Sequence, residues 1–185
     1  MPIGIRLDGC IPCFGRLQNK HLAYCTTLSG VDFYEYKVKL FSYFYTPMAY
    51  YENLFSRKIR ETIDFLRGNY HVYYIAKDNN LIGYGTVVKG GGRYRFLSAK
   101  DIILCNFWIQ PQYRGRGYSS ILYQGLLEKM DLKYEKAFAF ITHDNTPSIK
   151  SAQKNGFVKT ANASRKGIVN FIVVDPNGYL GIYQK

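Results

Sequence analysis

The most constraining stretch of the chain lies in its middle, where an apolar run of strand length, Asp101 to Ile109, stops at Gln110-Pro111. Proline gives no donor to a central ladder, so a strand ends there. Gln112-Tyr113-Arg114-Gly115-Arg116-Gly117 follows at once. From Gly115 to Met130, Ile121, Leu122, Leu126 and Met130 fall on one side and Glu128, Lys129 and Asp131 elsewhere, which is a helical distribution. A strand that passes through a glycine loop into a helix presents unpaired backbone N–H groups, and their summed dipole favours a phosphate. Gly115 and Gly117 let the backbone come close to such a ligand, and Arg114 and Arg116 add charge. A glycine turn after a strand is common, so this segment alone reads equally well as plain structure.

The flanking sequence supplies more strands than helices. From Asp32 to Tyr45, Tyr34, Tyr36, Val38 and Leu40 alternate with Glu35, Lys37 and Lys39, the period of a half-buried strand. Leu54, Phe55, Ile59, Ile63 and Leu66 recur at helical spacing until Gly68-Asn69. His71 to Lys77 and Leu81 to Lys89 flank Asp78-Asn79-Asn80 and predict a hairpin, and Gly90-Gly91-Gly92 marks a loop. Ala137 to Thr142 predicts a buried strand. Asn145, Pro147 and Gly156 are spaced to cap, start and stop a short helix. Phe157 to Ala161, Ile168 to Val174 and Tyr179 to Tyr183 predict strands, with a turn at Asp175-Pro176-Asn177-Gly178. The order is mixed α/β.

At 185 residues, 47 % of them hydrophobic, the chain suits one domain with an ordinary core. Its 18 tyrosines fit strand packing first, and amphipathic pocket walls second. The formal charge of +12 is uneven: residues 1–70 carry nine Lys/Arg against six Asp/Glu, and residues 71–185 carry sixteen against seven. A positive field speeds encounter with an anionic ligand such as a polyphosphate coenzyme. Specific nucleic-acid binding is not expected, because the lysines are scattered and no zinc-finger or RNA-binding signature is present. Met1 to Arg6 lacks the apolar run of a signal peptide and no stretch approaches ~18 apolar residues, so a soluble cytoplasmic protein without membrane contact is expected. Cys10-x2-Cys13, His21 and Cys25 could form a Cys3His zinc site. A lone CxxC without a second pair favours ordinary thiols instead, and no metal is expected.

Ile109 to Tyr118 resembles the coenzyme-binding segment of the GCN5-related N-acetyltransferase (GNAT) family. Asn145-x-x-Ser148 followed by Lys154-Asn155-Gly156-Phe157 is similar to that family's next helix and the start of its following strand. The resemblance covers residues 70–183 best; it leaves 1–30 as an N-terminal extension and makes 31–185 the acetyltransferase domain. It implies an acyl-CoA N-acyltransferase-like fold, a mixed, mostly antiparallel twisted sheet with flanking helices. It also implies acetyl-CoA as co-substrate. The pyrophosphate would be held by the backbone of Arg114, Gly115, Arg116, Gly117, Tyr118 and Ser119, just after Gln112, and the pantetheine would lie along Phe107 to Ile109. Asn145 and Lys154 would stand beside the coenzyme on the second helix. Asn145 as a helix cap and Lys154 as a solvated charge are the ordinary alternatives.

The implied reaction is attack of a free amine on the thioester carbonyl, helped by juxtaposition of the substrates and a backbone N–H that polarises the carbonyl. Two positions depart from the family's pattern. Ala152 stands where many members have a tyrosine acid, and Ile103 where many carry a glutamate base. His143, beside Asp144, is the substitute for proton transfer, since an imidazole titrates near ~6.5; Asp101 is a weaker one. The expected acceptor is a small-molecule amine, with an amino sugar as the specific guess. A protein N-terminus or lysine, and a catalytically silent coenzyme-binding module, are the alternatives. A homodimer is the assembly to test.

Overall fold

The computed structural model describes residues 22–36, 68–78, 80–92, 94–129, 132–167 and 171–185. Among these are nine strands: β1 (Leu22–Leu28), β2 (Val31–Tyr36), β3 (Tyr70–Lys77), β4 (Asn80–Lys89), β5 (Ile102–Ile109), β6 (Ala137–Thr142), β7 (Val158–Lys166), β8 (Phe171–Val174) and β9 (Leu180–Gln184). They form one sheet in the order β1-β2-β3-β4-β5-β6-β9-β7-β8. The described α-helices are α1 (Tyr118–Glu128) and α2 (Thr146–Lys154), and a 3-10 turn covers Pro111–Tyr113. β5 and β6 are parallel, whereas β1/β2, β2/β3, β6/β9, β7/β9 and β7/β8 are antiparallel. This is the mixed, mostly antiparallel sheet with flanking helices expected from the sequence. The helix expected over Leu54 to Leu66, the strand residues beyond Tyr36, and Cys10, Cys13 and His21 lie outside the described residues.

The chain divides into two compact units. The first contains the described residues up to Thr86 together with Asn106–Tyr118. Its β1–β2 hairpin turns through Ser29 (φ 53°) and Gly30 (φ 71°), the paired left-handed residues that match the twist of the flanking strands. Phe33, Val72, Tyr74, Ile75 and Ile82 are fully buried. The rings of Tyr36, Tyr74, Tyr84 and Trp108 follow one another across β2 to β5 with centroids 6.2, 5.9 and 5.7 Å apart. Each such pair contributes about 0.5–1.5 kcal/mol beyond area burial. Gly83 makes the last contact possible, because a Cβ there would overlap the Trp108 carbonyl oxygen and come within 2.8 Å of Ile109 Cδ1.

Two details of this unit differ from the sequence expectation. The buried residues of β2 are Val31, Phe33 and Tyr36, while Tyr34 is only partly buried and sets its ring edge-on to Tyr24 at 5.8 Å. β1 was not anticipated: its residues do not alternate cleanly, and the register with β2 jumps between Tyr24 and Thr26, leaving Cys25 as the extra residue of a bulge.

The second unit comprises Val87–Cys105 and Ser119–Lys185. β9 lies between β6 and β7, with Ala139 opposite Tyr183 and Asn162 opposite Gly181. Leu122 and Leu126 of α1, Ala152 of α2 and Phe157 bury against this framework, and Tyr123 meets Phe157 edge-on at 5.4 Å. The turn at Asp175 to Gly178 forms as expected, with the Gly178 N–H donating to the Asp175 carbonyl at 2.8 Å. β7 runs further than predicted, to Lys166, because β8 pairs with its far half, Ala163 to Lys166.

Candidate active site

The glycine loop is built by main-chain geometry. Gln110 N–H donates to the Ile82 carbonyl (2.8 Å), Tyr113 N–H to Gln110 (2.9 Å) and Arg114 N–H to Pro111 (3.2 Å), so β5 ends in a tight turn. Gln112 donates its side-chain amide to the Gln110 side-chain oxygen at 2.5 Å. Arg114 Nε donates to the Ile109 carbonyl at 3.0 Å, which uses one of five guanidinium donors and fixes the direction of the group. Gly115 (φ 73°) and Gly117 (φ 84°) are both left-handed, and a Cβ on either would meet no protein atom within 4 Å. The sequence reading explained these glycines by ligand approach. The backbone itself already requires them, because L-residues with a Cβ are disfavoured there.

α1 starts at the next residue, Tyr118, with no acidic side chain in its first turn. Arg114 and Arg116 are exposed. Left-handed glycines, open space, free charge and a helix start fit the pyrophosphate of a coenzyme by its known chemical needs.

In the second unit, the first turn of α1 is tied to α2. Ser119 Oγ lies 2.7 Å from Ser151 Oγ, and the Asn155 amide donates to Ser120 Oγ (3.3 Å) and to the Ser151 carbonyl (2.7 Å). Sequence reasoning missed the ties of Ser151 and Asn155 to α1, which span more than thirty residues; only their small polar character at spacing i, i+4 hints at a shared face. Asn145 and Lys154, each expected beside the coenzyme, stand at the two ends of α2, about 14 Å apart by helical rise. Asn145 Oδ1 accepts from the Ser148 N–H at 3.2 Å, so its capping role is realised. Lys154 is an exposed cation in the last turn.

His143 follows β6 in an exposed turn, its main-chain N–H donating to the Tyr179 carbonyl at 3.2 Å. The neighbouring Asp144 carboxyl is held below its ordinary range, first by the Thr142 hydroxyl, then by backbone N–H groups and His143. Asp101 is different. It is 5 % exposed and its carboxylate accepts from the Ser98 N–H at 2.8 Å, while main-chain bonds link it to Ser98 and Gly90. It clasps the β4–β5 loop and is engaged as structure. Ala152 and Ile103, where an acid and a base were looked for, are both fully buried. An ionisable or bulky side chain at either place in this chain would have to enter a packed core. No group of three His, Cys, Asp or Glu among the described residues could hold a metal, and Cys25 is exposed.

A sequence profile of the acetyltransferase (GNAT) family matches residues 31–157. The chain belongs to the GNAT family of acetyltransferases. Solved structures share the fold of this GNAT chain. RimL, a ribosomal-protein alpha-N-protein acetyltransferase, superposes with a TM-score of 0.59 at 13% identity, covering 88% of this chain and 97% of RimL. A Vibrio cholerae and hSSAT chimera of the spermidine N-acetyltransferase SpeG gives 0.57 at 13% identity, covering 84% and 95%. A second RimL structure, in complex with coenzyme A, gives 0.59 at 11% identity, covering 88% and 97%. No curated protein matches the chain in sequence. No helix among the described residues is long and apolar enough to cross a membrane.

Proposed function

We propose that this GNAT enzyme transfers the acetyl group of acetyl-CoA to the primary amine of a small molecule, with an amino sugar as the first acceptor class to try. The observation that carries the reading is the loop–helix junction, with left-handed Gly115 and Gly117 immediately before α1 and exposed Arg114 and Arg116 beside them. The backbone from Arg114 to Ser119 takes the pyrophosphate, Phe107 to Ile109 pairs with the pantetheine arm, and Gln112 braces the turn. Asn145 and Lys154 act from the two ends of α2, and residues 1–30 stand outside this 31–185 domain.

The amine attacks the thioester carbon, the carbonyl becomes an oxyanion, and the collapse expels the coenzyme thiolate, which takes up the proton released by the new amide nitrogen. His143 takes the ammonium proton beforehand, and its exposure in the turn after β6 keeps it accessible to solvent for that purpose. Most of the rate comes from juxtaposing the two substrates, so the buried Ala152 and Ile103 do not bar turnover.

A protein N-terminus is the second reading, favoured by the fold likeness to RimL and by Asn145-x-x-Ser148 lacking a following tyrosine. Free-thiol release from acetyl-CoA over amino sugars, polyamines, amino acids and peptides tests both. Release with glucosamine supports the first reading, and release with free-N-terminus peptides alone moves the assignment to the second. Tight coenzyme binding without release for any amine would leave a silent coenzyme-binding member and overturn both.

A further inference from the structure

Only three non-glycine residues among those described have a left-handed φ: Ser29, Asp78 and Asn106. Ser29 and Asp78 sit in hairpin turns, where the chain must reverse. Asn106, at φ 52°, sits inside β5 with strand residues on both sides. Such a conformation persists in a strand only when its surroundings over-determine it, and it changes the direction of the backbone beyond it.

The surroundings are visible. The Asn106 side-chain amide donates one N–H to Tyr70 Oη at 3.3 Å on β3 and the other to Thr86 Oγ1 at 3.2 Å on β4. Thr86 is fully buried and Tyr70 is 3 % exposed, so both hydroxyls belong to a packed wall and cannot wander. Asparagine is also one of the few residues with a side chain that enter the left-handed region readily. The residue after it is Phe107, the first of the three assigned to the pantetheine arm.

We propose that Asn106 is a positioning residue for acyl transfer: its amide, held by Tyr70 and Thr86, fixes the left-handed step in β5 that sets the direction of Phe107 to Ile109. This rests on the function proposed above. Asn106 touches neither substrate; it governs where the thioester is presented.

The test uses the full chain with acetyl-CoA and whichever of glucosamine, spermidine or a free-N-terminus peptide the wild type acetylates fastest. Asn106→Ala removes the clamp and strains the backbone, Asn106→Gly removes only the clamp, and the double variant Tyr70→Phe, Thr86→Val keeps Asn106 but removes both acceptors. The expected kcat order is wild type, Asn106→Gly, Asn106→Ala, with a loss of about 10- to 100-fold for the alanine variant, the scale of a small misplacement. The double variant should lie with Asn106→Gly. Coenzyme A affinity by calorimetry should stay within about threefold, because the pyrophosphate loop is untouched. Melting temperatures are recorded alongside, and kcat is expressed per folded enzyme. An active wild type whose variants melt earlier but keep the wild-type kcat would overturn this inference alone, leaving the proposed function standing. A wild type with no turnover of any of the three amines would overturn the proposed small-amine and N-terminal functions and this inference with them.

Discussion

At the scale of single residues, the site separates side chains whose work is already visible from those whose work needs a substrate. Asn145 caps α2 through its Oδ1 and Asp101 holds the Ser98 N–H, so both have structural employment. His143 has none through its ring that the geometry requires, yet it sits in an exposed turn beside an ionised Asp144. If it is the proton acceptor, His143→Ala should lower kcat by about 10²-fold near neutral pH, with the acetyl-CoA KM unchanged. The acid limb of the kcat profile should vanish with it, since the side chain that accepts the proton is gone. Steady-state kinetics from pH 5.5 to 9 decides this; an alanine variant with the wild-type rate and profile would dismiss the histidine.

At the scale of elements, local chemistry was readable wherever one short segment determined its own shape. Asn145, Pro147 and Gly156 delimit α2 because capping, N-terminal proline and C-terminal glycine are local requirements. β6 appears at Ala137–Thr142 as predicted, since a short apolar run between turns has few alternatives. β1 was not readable, because the bulge at Cys25 breaks the period of two on which the reading depends. The Ser119–Ser151 and Asn106–Thr86 contacts were out of reach for a different reason: they join residues far apart in sequence, and nothing local announces them.

The glycine loop lies between these cases. Its residues were identified from sequence by ligand approach, their left-handed φ adds a backbone requirement, and the two are separately testable. Gly117→Ala would meet no neighbour, so its cost is the left-handed backbone, about 1–2 kcal/mol in the free protein. Relief of that strain would rotate the amides at the start of α1, and coenzyme A affinity should fall by about tenfold, close to 1.4 kcal/mol. Calorimetric titration with coenzyme A, together with thermal melting, measures both. Unaltered affinity in a folded variant would show that the loop is structural only.

At the scale of the whole molecule, the tyrosines convert burial into a pH dependence. Tyr73, Tyr74 and Tyr123 have phenols pushed well above their ordinary range, in each case mainly by desolvation, and Tyr34, Tyr134 and Tyr183 move the same way. Their folded values lie above the unfolded value near ~10, so the neutral phenol is the form the fold favours. The stability this gives is complete below pH ~10, where both states are neutral, and is lost as pH rises beyond it and the unfolded chain ionises first. Each fully shifted phenol steepens the decline by about 1.4 kcal/mol per pH unit. Alkaline unfolding should therefore begin abruptly above pH ~10, with phenolate absorbance and loss of near-ultraviolet circular dichroism rising together, because buried phenols ionise only as the core opens. Tyr123→Phe, which keeps the ring against Phe157 and removes one phenol, should make the limb shallower. Gradual phenolate titration through pH 12 with the tertiary signal intact would show that these rings reach solvent without unfolding, and that the aromatic packing is looser than the burial of Tyr74 and Tyr123 requires.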